Sequence, residues 1–519
     1  MSTLSKTKLR GHLAVALCAL ICCALPVARA AAQTADSTSN AAKTAAACKP
    51  AANPPADAAL KLPPLPPPAH VDQTMQLDGK TLHYTVTVGA WPVRDKSGKE
   101  AGQVVVTSYT MPGANRPVTF AVNGGPGASS AFLNFGAIGP KHLQFGNKGE
   151  SPSEPLTLTD NQGTWLNFTD LVFIDPIGTG FSRSLVPEAQ TKKLFYSTVP
   201  DIHYLSRVIY EWLVKNGRLD SRKYLVGESY GGFRGPRITY YLQSQLGVAM
   251  NGLVLISPYL NPTIDRDKDV SPLPWMMTLP SIVAAHLERE HKLTPQAMAP
   301  VIAYTEGDYA TALIKGYSDP AATQAMIQRV TELTGLDPAF VKESGGRLSA
   351  AAYAREVHRE QGKLGSVYDS NVTSFDPFPY APQQEANDPI LASVIAPLTS
   401  AMVNFVTQTV GWKVDASYYT LDYSVDRMWD RGAALRAGSV TQLRQAVAAD
   451  PDLRVLIAHG WNDLVCPFMG SVLTVNEMPV MGDPTRVSVH EYPGGHMFYT
   501  RQASRMAFRK DVMAMYGKP

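Results

Sequence analysis

The sequence predicts an α/β fold in which a mostly parallel central sheet carries helices on both faces and accepts one inserted helical cap. Three observations indicate this fold. Short apolar, β-branched runs are each followed by Gly, Pro or polar residues, which is typical of parallel strands buried on both faces. Helical stretches such as 201–215 separate some of these runs. Between about 262 and 389, strand signals give way to helix starts, which indicates an insertion.

The predicted elements follow from local patterns. Residues 81–89 and 103–111 alternate like an antiparallel pair of strands. Five short apolar runs are expected to form parallel strands, and one further strand precedes the C-terminal region: 118–122, 171–174, 223–226, 252–256, 454–458 and then 487–492. In the insertion, Thr294, Asp319 and Asp337 each precede a proline, which predicts a capped helix start at each position. Residues 348–361 form a further predicted helix.

Length, charge and composition exclude several classes of protein. The chain has 519 residues, of which 45% are hydrophobic and 18% charged, so it can bury a large core and is not disordered as a whole. Its 47 basic and 44 acidic residues give a net charge of +3. This charge is much smaller than the basic excess typical of a nucleic-acid-binding protein. Five cysteines are too few for a disulfide scaffold.

Residues 1–30 have the pattern of a secretory signal peptide. Three basic residues precede the uncharged apolar run 13–25, and Ala28 and Ala30 provide a small-residue cleavage site. These 13 apolar residues fall short of the roughly 20 that span a bilayer, although an uncleaved anchor is the alternative. We therefore expect an exported protein, periplasmic or extracellular, with no stable membrane insertion after cleavage.

Residues 31–70 form an Ala/Pro-rich linker in this interpretation, because no Phe, Trp or Tyr occurs between Ala31 and Tyr84. Removal of the signal leaves two cysteines, Cys48 and Cys466, for which we expect no disulfide. The predicted organisation then continues with three further segments: a first core segment (71–261), the cap (262–389) and a second core segment (390–519). Residues 391–412 are predicted to form an amphipathic helix.

A G-x-S-x-G motif occupies residues 227–231, directly after the apolar strand 223–226 and before a helix-like stretch. A serine on such a strand-to-helix turn exposes its hydroxyl, and small flanking residues avoid clashes. Ser229 is therefore the candidate nucleophile. The alternative is a glycine-rich turn with an incidental serine.

A second glycine-rich turn, residues 123–127 (NGGPG), follows the strand 118–122. Paired glycines let a backbone approach a ligand closely and aim its N–H groups at it. In hydrolases that use a strand–serine–helix turn, one oxyanion donor comes from such a loop and the other from the residue after the nucleophile. Gly125 and Tyr230 are the predicted donors; the alternative is a tight turn before a helix.

The acid and base of such a site follow the serine in the chain. Asp463 lies just past the predicted strand 454–458, and His496 lies in a glycine-rich loop after the strand 487–492. These residues are the candidate acid and general base. His459 is the main competitor for the base, but it occupies the strand end that precedes the acid, so we interpret it as structural.

Together these segments resemble the serine carboxypeptidase family, a branch of the α/β-hydrolase fold. The matching segments are 123–130 (NGGPGASS), 177–184 (IGTGFSRS), 227–232 (GESYGG), 460–467 (GWNDLVCP) and 494–497 (GGHM). The resemblance implies a catalytic triad of Ser229, Asp463 and His496 and an oxyanion hole formed by Gly125 and Tyr230. It also implies that Asn123 and Glu228 bind the C-terminal carboxylate of a peptide. Glu228 must then share a proton with that carboxylate, since two like charges in contact cannot both stay ionised.

The chain departs from the family pattern in ways that indicate a divergent, bacterial-type member. The family usually has a second glutamate where this chain has Ala137, so the carboxyl pair is incomplete. Ala128 replaces a family cysteine, Trp461 replaces an aspartate, and Asp175 directly precedes Pro176. Because Ala137 removes one carboxyl group, we expect activity near neutral pH, where His496 is unprotonated.

The leading hypothesis is a secreted serine-type carboxypeptidase that acts through an acyl-enzyme on peptides with a free C-terminus. A serine esterase, acyltransferase or amidase with the same triad is the alternative, and a non-catalytic binding protein on a hydrolase fold is the remote one. We expect no metal and no cofactor, since the sequence has neither an HExxH motif nor a phosphate-binding loop. No nucleic-acid partner is expected, and the sequence sets no oligomeric state.

Overall fold

The computed structural model describes residues 62–144, 153, 157–381 and 383–517. All of these residues belong to one compact unit, Pro55–Pro519. The predicted signal peptide, most of the predicted linker and Cys48 lie outside the described residues.

A ten-stranded sheet forms the centre of the fold. Its strands, and those of two small two-stranded sheets, are β1 (Ala69–Leu77), β2 (Lys80–Arg94), β3 (Glu100–Thr110), β4 (Val118–Val122), β5 (Lys141–Leu143), β6 (Leu158–Asp160), β7 (Asp170–Ile174), β8 (Arg183–Ser184), β9 (Lys223–Glu228), β10 (Gly252–Ile256), β11 (Lys363–Gly365), β12 (Thr373–Phe375), β13 (Arg454–Gly460) and β14 (Val487–Tyr492). The strand order of the large sheet is β1-β2-β3-β7-β4-β9-β10-β13-β14, with β8 paired to β3.

The sheet is antiparallel at one side and parallel through its remainder. Strands β1, β2, β3 and β7 pair antiparallel in that order. From β7 to β14, every adjacent pair runs parallel. The predicted α/β fold with a mostly parallel sheet is therefore confirmed, including the antiparallel pairing of 81–89 with 103–111.

Helices connect most of the parallel strands. The α-helices are α1 (Glu188–Phe195), α2 (Thr198–Lys215), α3 (Tyr230–Gln245), α4 (Leu273–Arg289), α5 (Pro295–Tyr304), α6 (Ala310–Lys315), α7 (Pro320–Thr334), α8 (Pro338–Glu343), α9 (Ala350–Glu356), α10 (Pro389–Asn404), α11 (Tyr423–Met428), α12 (Ala433–Arg436), α13 (Val440–Ala449), α14 (Phe468–Asn476) and α15 (Gln502–Gly517). The shorter helical segments are π-helical at Phe132–Ile138, Thr305–Tyr309 and Phe405–Thr409, and 3₁₀-helical at Gly316–Ser318, Arg359–Gln361, Pro484–Arg486 and Phe498–Thr500.

Helices bury both faces of the sheet. Alternate residues of one strand therefore pack into two different hydrophobic cores. In β10, Leu253 and Leu255 join one hydrophobic cluster, while Val254 and Ile256 join the other. Residues from α2, α3 and α13 cover the first face, and residues from α10 and α15 cover the second. This two-sided burial explains why β10 is a continuous apolar run.

Helices dominate the segment between β10 and α10, and they form a third hydrophobic cluster together with Trp461, Leu464, Phe468 and Met469 of the second core segment. All three predicted helix caps are present: the Thr294, Asp319 and Asp337 side chains accept hydrogen bonds from backbone N–H groups in the first turn that follows. Strands β11 and β12 were not expected in this segment; at three residues each they are too short for a periodic signal.

One predicted helix of the insertion is shorter than expected. Residues 348–361 were predicted as a single helix, but α9 ends at Glu356. His358 adopts φ −125° and ψ 13°, and its ring makes a 3.1 Å hydrogen bond with the Ser370 carbonyl oxygen. The predicted α-helix therefore breaks at His358, and residues 359–361 continue only as a 3₁₀ turn.

The predicted amphipathic helix 391–412 corresponds to α10 and the π-helical segment that follows it. Its apolar residues, such as Leu398 and Phe405, are buried in the core, while Ala396, Ser400 and Asn404 are exposed. Among the described residues, Pro389–Thr409 is the stretch long and apolar enough to cross a membrane by length and composition. The burial of its apolar face is that of a core helix.

Candidate active site

Ser229 lies on a sharp turn between β9 and α3. Its backbone angles are φ 58° and ψ −120°, a conformation that costs a non-glycine residue about 1–3 kcal/mol and persists only when its surroundings enforce it. The neighbours are tightly packed: a Cβ atom at position 227 would lie 2.1 Å from the Gly231 carbonyl oxygen, and one at 231 would lie 2.3 Å from that of Val122. The glycines of the motif are therefore required by the turn that presents Ser229.

His496 and Asp463 form a buried hydrogen-bonded pair. His496 Nδ1 lies 2.9 Å from Asp463 Oδ2, and the two residues are 2% and 0% exposed. The other oxygen, Asp463 Oδ1, accepts the backbone N–H groups of Val465 at 2.8 Å and Cys466 at 2.9 Å. Burial acts to lower the pKa of His496, but the Asp463 carboxylate outweighs it, so this pKa is raised. The pair thus holds Nδ1 and leaves Nε2 available for proton transfer.

Among the described residues, Ser229 is not hydrogen-bonded to this pair. Within the described part of the chain, no hydrogen bond joins the Ser229 hydroxyl to His496. The Ser229 side chain lies near enough to the buried Cys466 thiol to lower its pKa, against the larger opposing effect of burial. Contact between Ser229 Oγ and His496 Nε2 therefore requires a local rearrangement, and such contacts often tighten only when substrate binds.

The two predicted oxyanion donors flank the serine turn. Where the structure describes the chain, the backbone N–H groups of Gly125 and Tyr230 donate to no protein acceptor. Gly125 is exposed and has φ 96°, which glycine adopts without strain. A Cβ atom on Gly124 would lie 2.5 Å from the Tyr230 nitrogen, so only glycine lets this loop reach the start of α3. Two free N–H groups therefore lie on adjoining backbone segments beside Ser229.

Arg234 contacts both of these backbone segments, the 123–127 loop and the start of α3, from the protein interior. Its guanidinium group pairs with Asp201 through two hydrogen bonds of 2.7 and 3.2 Å, and both residues are almost completely buried. It also donates to the Asn123 carbonyl oxygen at 2.7 Å and lies 4.8 Å from the centre of the Tyr230 ring. Arg234 was not predicted from the sequence; a charged residue in the first turn after the G-x-S-x-G motif was the available signal.

Asn123 and Glu228 lie together, as the resemblance implied. Asn123 Nδ2 donates to Glu228 Oε2 at 2.7 Å, and each residue is 3% exposed. Tyr499, which no sequence motif indicated, donates to Oε1 at 2.8 Å and to Oε2 at 2.9 Å. Burial raises the pKa of Glu228 to about 7, against the opposing effects of His496, Tyr499 and Asn123. Glu228 can therefore hold a proton at neutral pH.

Residues of the helical insertion contact the loop after β14 that carries His496, here called the histidine loop. The Tyr368 carbonyl oxygen accepts the His496 backbone N–H at 2.6 Å, and the two rings meet edge to face at 5.2 Å. Arg501, five residues after His496, forms ion pairs with Glu288 of α4 and with Asp369. These contacts tie the insertion to the loop that carries the candidate base, and no sequence motif indicated them.

His459 is fully buried, and its Nε2 hydrogen-bonds to Ser471 Oγ at 2.8 Å. Burial lowers its pKa to about 4, so the ring is neutral near pH 7. The pair formed by His496 and Asp463 excludes His459 from the contact that a triad base makes with its acid. In the described residues, no group of three or more His, Cys, Asp or Glu side chains is arranged to hold a metal ion.

The fold is that of the α/β-hydrolases, with the serine turn after a central strand and the acid and histidine after later ones. The serine carboxypeptidase family model matches residues 89–375, more than half of the chain. The chain therefore belongs to the serine carboxypeptidase family. This match contains Asn123, Gly125, Glu228, Ser229 and Tyr230 and ends before Asp463 and His496.

Similar proteins include plant, fungal and yeast carboxypeptidases. The chain is 28% identical to "Serine carboxypeptidase-like 36" of Arabidopsis thaliana over 39% of this chain and 41% of that protein. It is 31% identical to "Carboxypeptidase S1" of Penicillium janthinellum over 27% of this chain and 30% of that protein. The matched segments thus span less than half of these relatives. The crystal structure of the Saccharomyces cerevisiae prohormone-processing carboxypeptidase Kex1 shares the fold, with a TM-score of 0.53 and 15% identity over 83% of this chain and 91% of that one.

Proposed function

We propose that this protein is a serine-type carboxypeptidase that hydrolyses the C-terminal peptide bond of peptides with a free C-terminus. The observation that carries the proposal is the buried, hydrogen-bonded pair of Asn123 and Glu228, in which Glu228 directly precedes Ser229 in the chain. An amide donor and a carboxyl group that holds a proton near neutrality form a complementary site for a carboxylate. A substrate anchored there would present its last peptide bond to the serine.

The proposed chemistry uses Ser229, His496 and Asp463 as nucleophile, base and acid. His496 Nε2 removes the proton as Ser229 Oγ attacks the carbonyl carbon, and Asp463 stabilises the imidazolium that forms. The tetrahedral oxyanion accepts hydrogen bonds from the Gly125 and Tyr230 N–H groups, each worth about 2.7–4 kcal/mol in the transition state. His496 then protonates the leaving amine, and water activated by the same residue hydrolyses the acyl-enzyme.

We also propose export to the periplasm or the outside of the cell, on the evidence of the signal-peptide pattern in residues 1–30. In the proposed organisation, residues 71–261 and 390–519 build the catalytic core and 262–389 form the cap. The ties from Tyr368, Asp369 and Glu288 to the histidine loop support a cap that closes over the site.

A second candidate function is an esterase or amidase with the same triad. Ala137 favours it, because this fully buried residue supplies no second carboxyl group to the site. A strict requirement for a free C-terminus would then rest on Asn123 and Glu228 alone.

Matched substrates separate the two candidates: an N-blocked peptide with a free C-terminus, its C-terminal amide and its C-terminal ester. We expect the free acid to be hydrolysed with a much higher kcat/KM than the amide. Asn123→Ala should raise KM for the free acid by about 10-fold or more, as expected for a hydrogen bond to a charged group of about 1.5–3 kcal/mol. Asn404→Ala, at an exposed position on α10, is the control. Equal rates on free acid and amide would favour the second candidate.

A further inference from the structure

Tyr499 is the third partner of the Glu228 carboxyl group. It lies in the 3₁₀ turn Phe498–Thr500, three residues after His496, and is completely buried. Its hydroxyl lies within 2.8 and 2.9 Å of both carboxyl oxygens, whereas Asn123 reaches only Oε2. In the part of the chain that the structure describes, Asn123 and Tyr499 are the two side chains that donate hydrogen bonds to Glu228.

The turn that carries Tyr499 packs against the π-helical segment that carries Ala137. The Ala137 side chain has no polar group, and the Tyr499 phenol donates the hydrogen bond to Glu228 Oε1. The other titratable groups that act on Glu228 are His496 and Asp463, and the Cys466 thiol lies in its field. Among these neighbours, Tyr499 is the neutral O–H donor.

We propose that Tyr499 is a positioning residue for carboxylate recognition, which anchors Glu228 and sets the upper pH at which Glu228 offers a proton to the C-terminus of a peptide. The inference rests on the proposed carboxypeptidase function. In this role, Tyr499 affects the affinity for substrate. The chemistry of the triad does not depend on it.

The sign of the effect follows from the direction of the hydrogen bond. Tyr499 donates, and a donor stabilises the ionised form of the carboxyl group, so this contact lowers the pKa of Glu228 against the stronger effect of burial. Burial beside Glu228 also raises the pKa of Tyr499 well above its ordinary value, so the phenol stays protonated at neutral pH. Removal of the phenol oxygen should therefore keep Glu228 protonated to higher pH.

The test is the pH dependence of KM for the N-blocked peptide with a free C-terminus and for its ester, which has no carboxylate. In the unchanged protein, KM for the free acid should rise as the pH passes about 7, and KM for the ester should not. In Tyr499→Phe, the rise should move to higher pH. Tyr516→Phe, which removes a buried hydroxyl that contacts Thr119 at the opposite end of β4, should leave the rise in place.

A second variant covers the case in which Tyr499→Phe folds poorly. Replacement of Tyr499 by 3,5-difluorotyrosine gives a stronger donor of nearly the same shape, so the rise in KM should move to lower pH. If the rise in KM occurs at the same pH in both variants and the protein still prefers the free acid, the proposed role of Tyr499 is wrong. The proposed carboxypeptidase function would stand. A protein that hydrolyses the ester but shows no preference for the free acid over the amide would overturn the proposed function, and this inference with it.

Discussion

His496 Nδ1 and Asp463 Oδ2 are 2.9 Å apart in a setting from which water is almost fully excluded. Residues 33 positions apart are brought together there by the ends of two adjacent parallel strands, β13 and β14. Because the carboxyl ends of parallel strands meet at one edge of a sheet, the candidate acid and base lie at the same sheet edge as the serine turn that follows β9.

The pH profile should differ between substrates with and without a carboxylate. His496 must be neutral to accept a proton, and its pKa is raised by Asp463 against the opposing effect of burial, so kcat/KM should fall as the pH drops through a value above the ordinary one for histidine. For free-acid peptides, kcat/KM should also fall as Glu228 ionises above about pH 7. We therefore expect kcat/KM for free-acid peptides to show a narrow bell-shaped pH dependence near neutrality. For esters, kcat/KM should fall only on the acidic side. A free-acid maximum below about pH 5 would contradict this account.

Replacement of the acid by its amide should preserve the loop and impair the base. In Asp463→Asn, the remaining oxygen can still accept the N–H groups of Val465 and Cys466, so the fold should persist. The neutral amide favours the wrong histidine tautomer and no longer stabilises the imidazolium, so kcat should fall by about 10⁴-fold. Steady-state kinetics and thermal unfolding measure the two effects. A loss below about tenfold would show that Asp463 is not the acid of the triad.

The buried pair of Arg234 and Asp201 should matter for both stability and turnover. Arg234→Met leaves the Asp201 carboxylate buried without its partner, which should cost about 3–5 kcal/mol of unfolding free energy. The double variant Arg234→Met/Asp201→Leu should be less destabilised, since no buried charge remains. Both variants lose the hydrogen bond to the Asn123 carbonyl oxygen, so kcat should fall in both while KM changes less.

Denaturant unfolding and steady-state kinetics on the same preparations test this account of Arg234. A double variant that unfolds as easily as Arg234→Met would contradict the role of the uncompensated charge. An unchanged kcat in the double variant would show that Arg234 does not position residues 123–127, the loop that carries the candidate oxyanion donor Gly125.

Cys466 gives a chemical probe of the distance to Ser229. The Ser229 side chain lies near enough to this thiol to affect its pKa, so a bulky mercurial on Sγ should block the serine and abolish activity. Burial and neighbouring carboxylates raise the pKa of this thiol well above its usual value, so alkylating reagents that need the thiolate should react slowly. Cys466→Ala should retain activity and lose the sensitivity; inhibition that persists in this variant would place the modified group elsewhere.

Burial on both faces made the central strands predictable. Strands β4 and β10 coincide with the predicted runs 118–122 and 252–256, because such strands must be apolar at every position. Strand β1 starts at Ala69, two residues before the predicted start of the first core segment at 71, and the preceding Pro66 carbonyl oxygen accepts a hydrogen bond from the indole of Trp412 at 3.3 Å. That contact joins residues 346 positions apart, and no local pattern encodes it.

The candidate site was predictable where a backbone geometry demands particular residues. Tight turns need glycine, so the segments around Ser229, Gly125 and His496 carry motifs that a sequence displays. Tyr499 and Arg234 have no such signature, since buried aromatic and charged residues are common and their partners are distant. Tyr499 meets Glu228 across 271 positions, a relation that only the folded chain makes visible.

The central claim is that Ser229 cleaves the C-terminal bond of peptides, and mass spectrometry of a defined peptide digest tests it most directly. The unchanged protein and its Ser229→Ala variant are each incubated with one peptide in two forms, with a free and with an amidated C-terminus. The account predicts stepwise loss of C-terminal residues from the free form only, and a loss of activity of about 10³-fold or more in Ser229→Ala. Internal cleavage, equal trimming of both forms, or unchanged trimming by Ser229→Ala would contradict it.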